Sequence, residues 1–169
     1  MIEIYCDGSC RGNGKAESEG GYAVCTMKDK EMLDLYWCTE CNTTNNRMEM
    51  KALLYALDLA TKYGTDKCVI YSDSAYCVNM FNDWIWSWAN NGWKRAGNKE
   101  IENLDLVRKI YPYTIAAVFP GYQVERVSGH SGIIGNEIAD AAATQNLTKL
   151  AKILEENNIS YNNEIKFDF

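Results

Sequence analysis

The chain has 169 residues, 47% of them hydrophobic, which suits one domain with a continuous core. Its 12% aromatic content, with 11 Tyr and 5 Trp, excludes a disordered chain, which lacks the apolar surface to offset ordering entropy. A net charge of −6 argues against a protein that grips a polyanion, yet residues 155–169 carry −3 and Asp7, Glu49, Asp73 and Asp140 carry −4, so the remainder is +1.

Ile2–Cys6 alternates apolar and polar residues as a strand and has neither the basic start nor the apolar run of a signal peptide. No apolar stretch approaches the roughly 20 residues of a membrane span, so a cytoplasmic protein without a membrane partner is expected. Gly20–Met27 and Met32–Cys38 read as two further strands joined by a Lys28–Lys30 turn, and an antiparallel meander follows. From Asn45 to Lys62 the residues Met48, Ala52, Leu53, Ala56, Leu59 and Ala60 recur at helical spacing, with Gly64 as the stop. Lys67–Tyr71 then reads as a buried strand and Ala75–Asn82 as the helix behind it.

Trp84–Trp93 reads as a short helix, Lys94–Glu100 as a loop and Asn103–Tyr111 as a helix. Tyr122–Val127 is the last strand and Asn136–Glu156 one closing helix, with Ile165, Phe167 and Phe169 alternating as an edge strand in the tail. The sum is an α/β (mixed α+β) layer in which helices cover a sheet. The seven cysteines are expected as free thiols, because the only His lies far from the Cys38-x-x-Cys41 pair and no second CxxC completes a zinc site.

Asp7 follows the first strand and Asp73 follows the Lys67–Tyr71 strand. If these strands are parallel neighbours, both carboxylates meet at one sheet edge, where open α/β sheets place ligands. Glu49 lies in the first turn of its helix, three residues after Asn46, where a capping-box glutamate bonding back to a backbone N–H is the plainer reading. Asp140, beside alanines on the closing helix, must be paired, metal-bound or aimed at solvent. Four carboxylates held together repel unless cations sit between them, and hard oxygen donors favour Mg²⁺ or Mn²⁺. Two such ions about 4 Å apart clamp the attacking and leaving oxygens of a phosphodiester.

From residue 1 to about 145 the chain resembles the type 1 ribonuclease H family. The resemblance rests on Asp7-Gly8-Ser9-Cys10 followed by Gly12-Asn13, on Thr43-Thr44-Asn45-Asn46-Arg47-Met48-Glu49, on Tyr71-Ser72-Asp73-Ser74, and on Gly129-His130-Ser131-Gly132 followed by Asn136, Glu137 and Asp140. It implies a five-stranded mixed sheet, strands 1 to 3 antiparallel and strands 4 and 5 parallel to strand 1, flanked by helices. Residues 1–150 would be the catalytic domain and 151–169 a helix end and tail of open role.

The resemblance further implies an endonuclease that hydrolyses the RNA strand of RNA–DNA hybrids and leaves 5′-phosphate and 3′-hydroxyl ends. Asp7, Glu49, Asp73 and Asp140 would ligate two Mg²⁺ ions, with Mn²⁺ as a substitute, and His130 would assist proton transfer or product release. From the residues alone, a lone His is equally a surface or core residue. Asn13, Asn45 and Asn46 would contact the minor groove of the hybrid, Thr44 and Asn103 would hold a phosphate of the DNA strand, and Trp84 would face DNA; a monomer is expected.

The chain departs from the family at Ala89-Asn90-Asn91, where well-known members carry basic residues, leaving Lys94, Arg95 and Lys99 nearby. Asn42 also stands where many members have Arg, so weaker grip on DNA is expected. Two alternatives are a non-catalytic hybrid-binding module, which would need the carboxylate set broken, and another nuclease of the superfamily, which would need neither the Thr43–Glu49 run nor the His130 loop.

Overall fold

A computed structural model of the chain describes residues 1–116 and 121–165. Strands β1 (Ile2–Arg11), β2 (Glu19–Lys28) and β3 (Glu31–Cys41) form an antiparallel meander. Helix α1 (Asn45–Tyr63) leads to β4 (Cys68–Ser72), which pairs parallel to β1. A helical stretch then runs as α2 (Ala75–Asn79), a π-helical turn (Met80–Trp84) and α3 (Ile85–Asn90). A short ribbon of β5 (Lys94–Arg95) and β6 (Lys99–Glu100) precedes α4 (Leu104–Ile115) and β7 (Val124–Arg126). Helices α5 (Ile134–Ala143) and α6 (Leu147–Glu156) and strand β8 (Ser160–Tyr161) complete the described chain.

The sheet order is β7-β4-β1-β2-β3-β8, with β7 parallel to β4 and β8 parallel to β3. The strand period of two divides the core between its faces. Ile4, Cys6 and Val24 join Leu53, Ala56, Leu57, Val107 and Ile110 on one side, while Tyr5, Ala23 and Cys25 join Ile138, Ala142 and Leu150 on the other.

Six strands, against the five expected, follow from β8, whose Ser160 N–H bonds to Lys30 O. It lies earlier than the edge strand expected from Ile165, Phe167 and Phe169, and the two phenylalanines fall outside the described residues. The single closing helix is two helices. Gln145 takes a left-handed φ of 56°, and the Asn146 side chain accepts from Lys149 N at 3.0 Å, so one helix stops and another starts within three residues.

Conversely, the break expected near Asp83 is a π-helical turn, because Met80, Phe81 and Ile85 bury through it and Asn82 Nδ2 donates to Val124 O of β7. Lys94–Glu100 pairs as a ribbon rather than a loop, with Arg95 Nε donating to Glu100 O at 2.8 Å. Helix α4 continues past Tyr111 although Pro112 removes a donor; Thr114 Oγ1 takes Tyr111 O, and Tyr113 packs edge-on against Tyr122.

The seven cysteines are free thiols, and neither Cys38 nor Cys41 enters a metal-capable group among the described residues. No helix among the described residues is long and apolar enough to cross a membrane.

Candidate active site

The parallel ladder of β1 and β4 ends at the Cys6–Ser72 pair. Asp7, still on β1, and Asp73, just past the end of β4, follow that pair, so they emerge side by side. Strand β1 itself runs on to Arg11 against β2, so Asp7 lies inside a strand rather than beyond one, and it is only 4% exposed.

Glu49 arrives from α1. The side chain of Thr44 accepts from Arg47 N at 3.2 Å, which makes Thr44 the N-cap and places Glu49 at the fifth helical position. The capping-box reading of Glu49 is therefore overturned. Gly8 allows α1 this close to β1: a Cβ there would stand 2.8 Å from Met48 Cβ and nearer still to Glu49 N. On the other side, a Cβ on Gly21 would collide with Ala143 O, so the glycine lets α5 lie directly on β2 and bring Asp140 to Asp7.

Carboxylate oxygens of Asp7, Glu49 and Asp73 all lie within 4.8 Å of one another. Asp140 lies beside Asp7, and burial, then the charges of Glu49, Asp73 and Asp140, push the Asp7 carboxyl well above the ordinary range. Burial and Asp73 likewise raise Glu49, against a hydrogen bond from Asp7 that lowers it. Glu49 Oε2 is buried with no hydrogen-bond partner among the described residues. An orphaned carboxylate oxygen among three other carboxylates is costly unless a cation joins it. The donor set fits hard divalent ions.

His130 sits in an exposed turn with φ 56°, and one of its ring nitrogens lies within 4.8 Å of Glu137 and Asp140 oxygens. Lys149, from α6, donates to Asp140 Oδ2 at 2.6 Å and stands 3.6 Å from Glu137 Oε2; the bond to Asp140 holds its ammonium above the usual range. Neither Glu137 nor Lys149 received a role from the sequence. Glu137 had a signal, since it precedes Asp140 by three residues on one helix face. Lys149 had none, because it reaches the site across a helix break.

Asn13, Thr44, Asn45, Asn46 and Asn103 line one cleft of about 540 Å³ together with Glu102. Asn13 Oδ1 accepts from Asn45 N at 2.8 Å and ties the β1–β2 loop to the start of α1. Arg47 donates to Asn103 Oδ1 and forks onto both oxygens of Asp105, which holds that carboxyl down to about 2. Trp84 is not in this cleft; it is half-buried between Tyr76 and Trp88, and Trp86 is the more exposed ring.

The sequence profile of the RNase H family matches residues 1–148. The Ribonuclease H of Francisella tularensis subsp. novicida is 38% identical over 152 residues, covering 88% of this chain and 92% of the relative. That of Janthinobacterium sp. (strain Marseille) is 36% identical over 146 residues, covering 85% and 94%. Among solved structures, LC9-RNase H1, a type 1 RNase H with the type 2 active-site motif, superposes with a TM-score of 0.64 at 28% identity, covering 95% of this chain and 86% of that one. The PFV RNase H domain shares the fold with a TM-score of 0.72 at 21% identity, covering 85% and 92%. With a profile match across most of its length and relatives above 30% identity, this chain belongs to the RNase H family, as a hydrolase acting on nucleic acid.

Proposed function

We propose that the chain is an endoribonuclease that hydrolyses the RNA strand of RNA–DNA hybrids, leaving 5′-phosphate and 3′-hydroxyl ends, with Asp7, Glu49, Asp73 and Asp140 holding two Mg²⁺ ions or, in their place, Mn²⁺. The observation that carries this reading is the convergence of Asp7, Glu49 and Asp73 within 4.8 Å, with Asp140 beside Asp7 and one Glu49 oxygen orphaned. Divalent ions bound there supply an activated water and stabilisation of the departing 3′ oxygen.

The protein's own groups do the rest. Asp7, buried among Glu49, Asp73 and Asp140, would offer its carboxylate oxygens to the ions. His130, exposed on its turn beside Asp140, carries a proton to or from the reacting phosphate. Asn13, Asn45 and Asn46 present amide and backbone groups to the minor groove, where the 2′-hydroxyl distinguishes RNA from DNA. Thr44 and Asn103 seat a phosphate of the DNA strand, and Trp84 supports the sugar–phosphate chain beyond it.

The test is incubation of the protein with labelled RNA–DNA hybrid, RNA duplex and DNA duplex, each with Mg²⁺, Mn²⁺ or EDTA, followed by end-group analysis. The reading predicts metal-dependent cutting of hybrid RNA alone. Hybrid left intact under both metals would indicate a binding module, and cut DNA duplex another nuclease of the superfamily.

A further inference from the structure

Lys149 lies one residue beyond the part of the chain matched by the family profile, yet its ammonium reaches the catalytic carboxylates. Its placement is built rather than incidental. Thr144 Oγ1 bonds to Asp140 O at 2.8 Å and closes α5, and Asn146 Oδ1 caps Lys149 N at 3.0 Å, so Lys149 holds the third position of α6. Leu150 and Leu154 anchor that helix in the core. The Lys149 side chain is 34% exposed, and those of Asp140 and Glu137 are 23% and 20% exposed, so the contact is partly shielded from solvent.

An ammonium 2.6 Å from Asp140 Oδ2 engages a carboxylate that the proposed function assigns to a divalent ion. Both are cations, so they cannot share Asp140 without repulsion. Glu137 Oε2, 3.6 Å away, offers the ammonium a second carboxylate when it leaves Asp140.

We propose that Lys149 is a built-in counter-cation of the active site: it holds Asp140 in the metal-free protein, competes with the divalent ion for that carboxylate, and shifts onto Glu137 when the ion binds. Lys149 is thus a positioning residue that sets the metal concentration at which the site loads. The inference rests on the reading of Asp140 as a metal ligand.

The test is calorimetric titration of the substrate-free protein with MnCl₂ and with MgCl₂, comparing wild type with Lys149→Met, Lys149→Arg and Asp140→Asn, with circular dichroism to confirm folding. Lys149→Met keeps the apolar stem and drops the charge, and it should bind metal about tenfold more tightly, equivalent to about 1.4 kcal/mol. Lys149→Arg should stay within about twofold of wild type. In thermal melts, metal-free Lys149→Met should unfold at a lower temperature than wild type and recover the difference at saturating metal. Unchanged or weaker metal affinity in Lys149→Met, with Asp140→Asn still losing affinity, overturns the role of Lys149 alone. Unchanged affinity in Asp140→Asn overturns the underlying reading of Asp140.

Discussion

Replacing Gly8 by alanine tests whether the carboxylates converge because α1 rests directly on β1. The new Cβ would lie 2.8 Å from Met48 Cβ and closer still to the Met48 carbonyl carbon and Glu49 N, whereas ordinary contact starts at 3.4 Å. The start of α1 must therefore retreat by at least about 0.6 Å, and its backbone atoms by more, since no flexible side-chain end is there to yield. Overpacking of this kind costs about 1–3 kcal/mol of stability. Glu49 moves with the helix, and under the proposed function, where Glu49 holds a metal ion, a displacement approaching 1 Å costs about 100-fold in rate. The expected outcome is a 10- to 100-fold fall in kcat on a labelled hybrid, with a urea midpoint lowered by the equivalent of about 1–3 kcal/mol. Activity within twofold of wild type, with unchanged stability, would refute the close-approach argument.

Other outcomes follow from the same geometry. Asp7 and Glu49 titrate above their unfolded values, so the folded protein binds more protons there than the unfolded chain, and the unfolding free energy falls with rising pH. This contribution is fully present below the ordinary carboxylate range near pH 4 and is lost as pH rises toward the raised folded values; urea melts in EDTA should show the loss in wild type and much less of it in Asp7→Asn. Thr44→Ala removes the α1 cap and should cost about 1 kcal/mol in a urea melt. The same variant should raise KM for hybrid, because Thr44 also lines the cleft; an unchanged KM would remove it from the substrate contacts. Arg47 is committed to Asp105 and Lys94 pairs with Glu100, so these two cations near the cleft and the ribbon are already engaged before a phosphate arrives. A plot of log binding constant against log salt should be shallower than about −4, and a steeper slope would show that more phosphates are neutralised than these residues allow.

Elements defined by a local period were readable from the residues alone. The alternation of Ile2–Cys6 and the helical recurrence from Met48 to Ala60 match β1 and α1, and Asp7 and Asp73 meet as expected because each comes one residue past the β1–β4 pairing, although β1 itself runs on to Arg11. What escaped reading depends on tertiary contacts. The break between α5 and α6 turns on one left-handed residue, Gln145, inside an otherwise helical pattern. Strand β8 has only two residues and exists by pairing with Glu31 and Met32. Glu49 was ambiguous because its spacing from Asn46 also suits a capping glutamate, a reading removed only when Thr44 is seen to cap the helix. Lys149 was invisible for the same reason as the helix break, since its nine-residue separation from Asp140 carries no periodic signal.

The most direct test of the central claim is the hybrid cleavage rate of Asp7→Asn in Mg²⁺ beside its circular dichroism spectrum and thermal melt. Asp7 contacts every other carboxylate of the cluster through charge or hydrogen bonding. The account predicts a folded protein, at least as heat-resistant as wild type in EDTA, whose cleavage of hybrid RNA falls by at least about 1,000-fold, as expected when the charge stabilisation of a hydrolytic centre is removed. A folded Asp7→Asn protein that still cuts hybrid RNA at near the wild-type rate would contradict it.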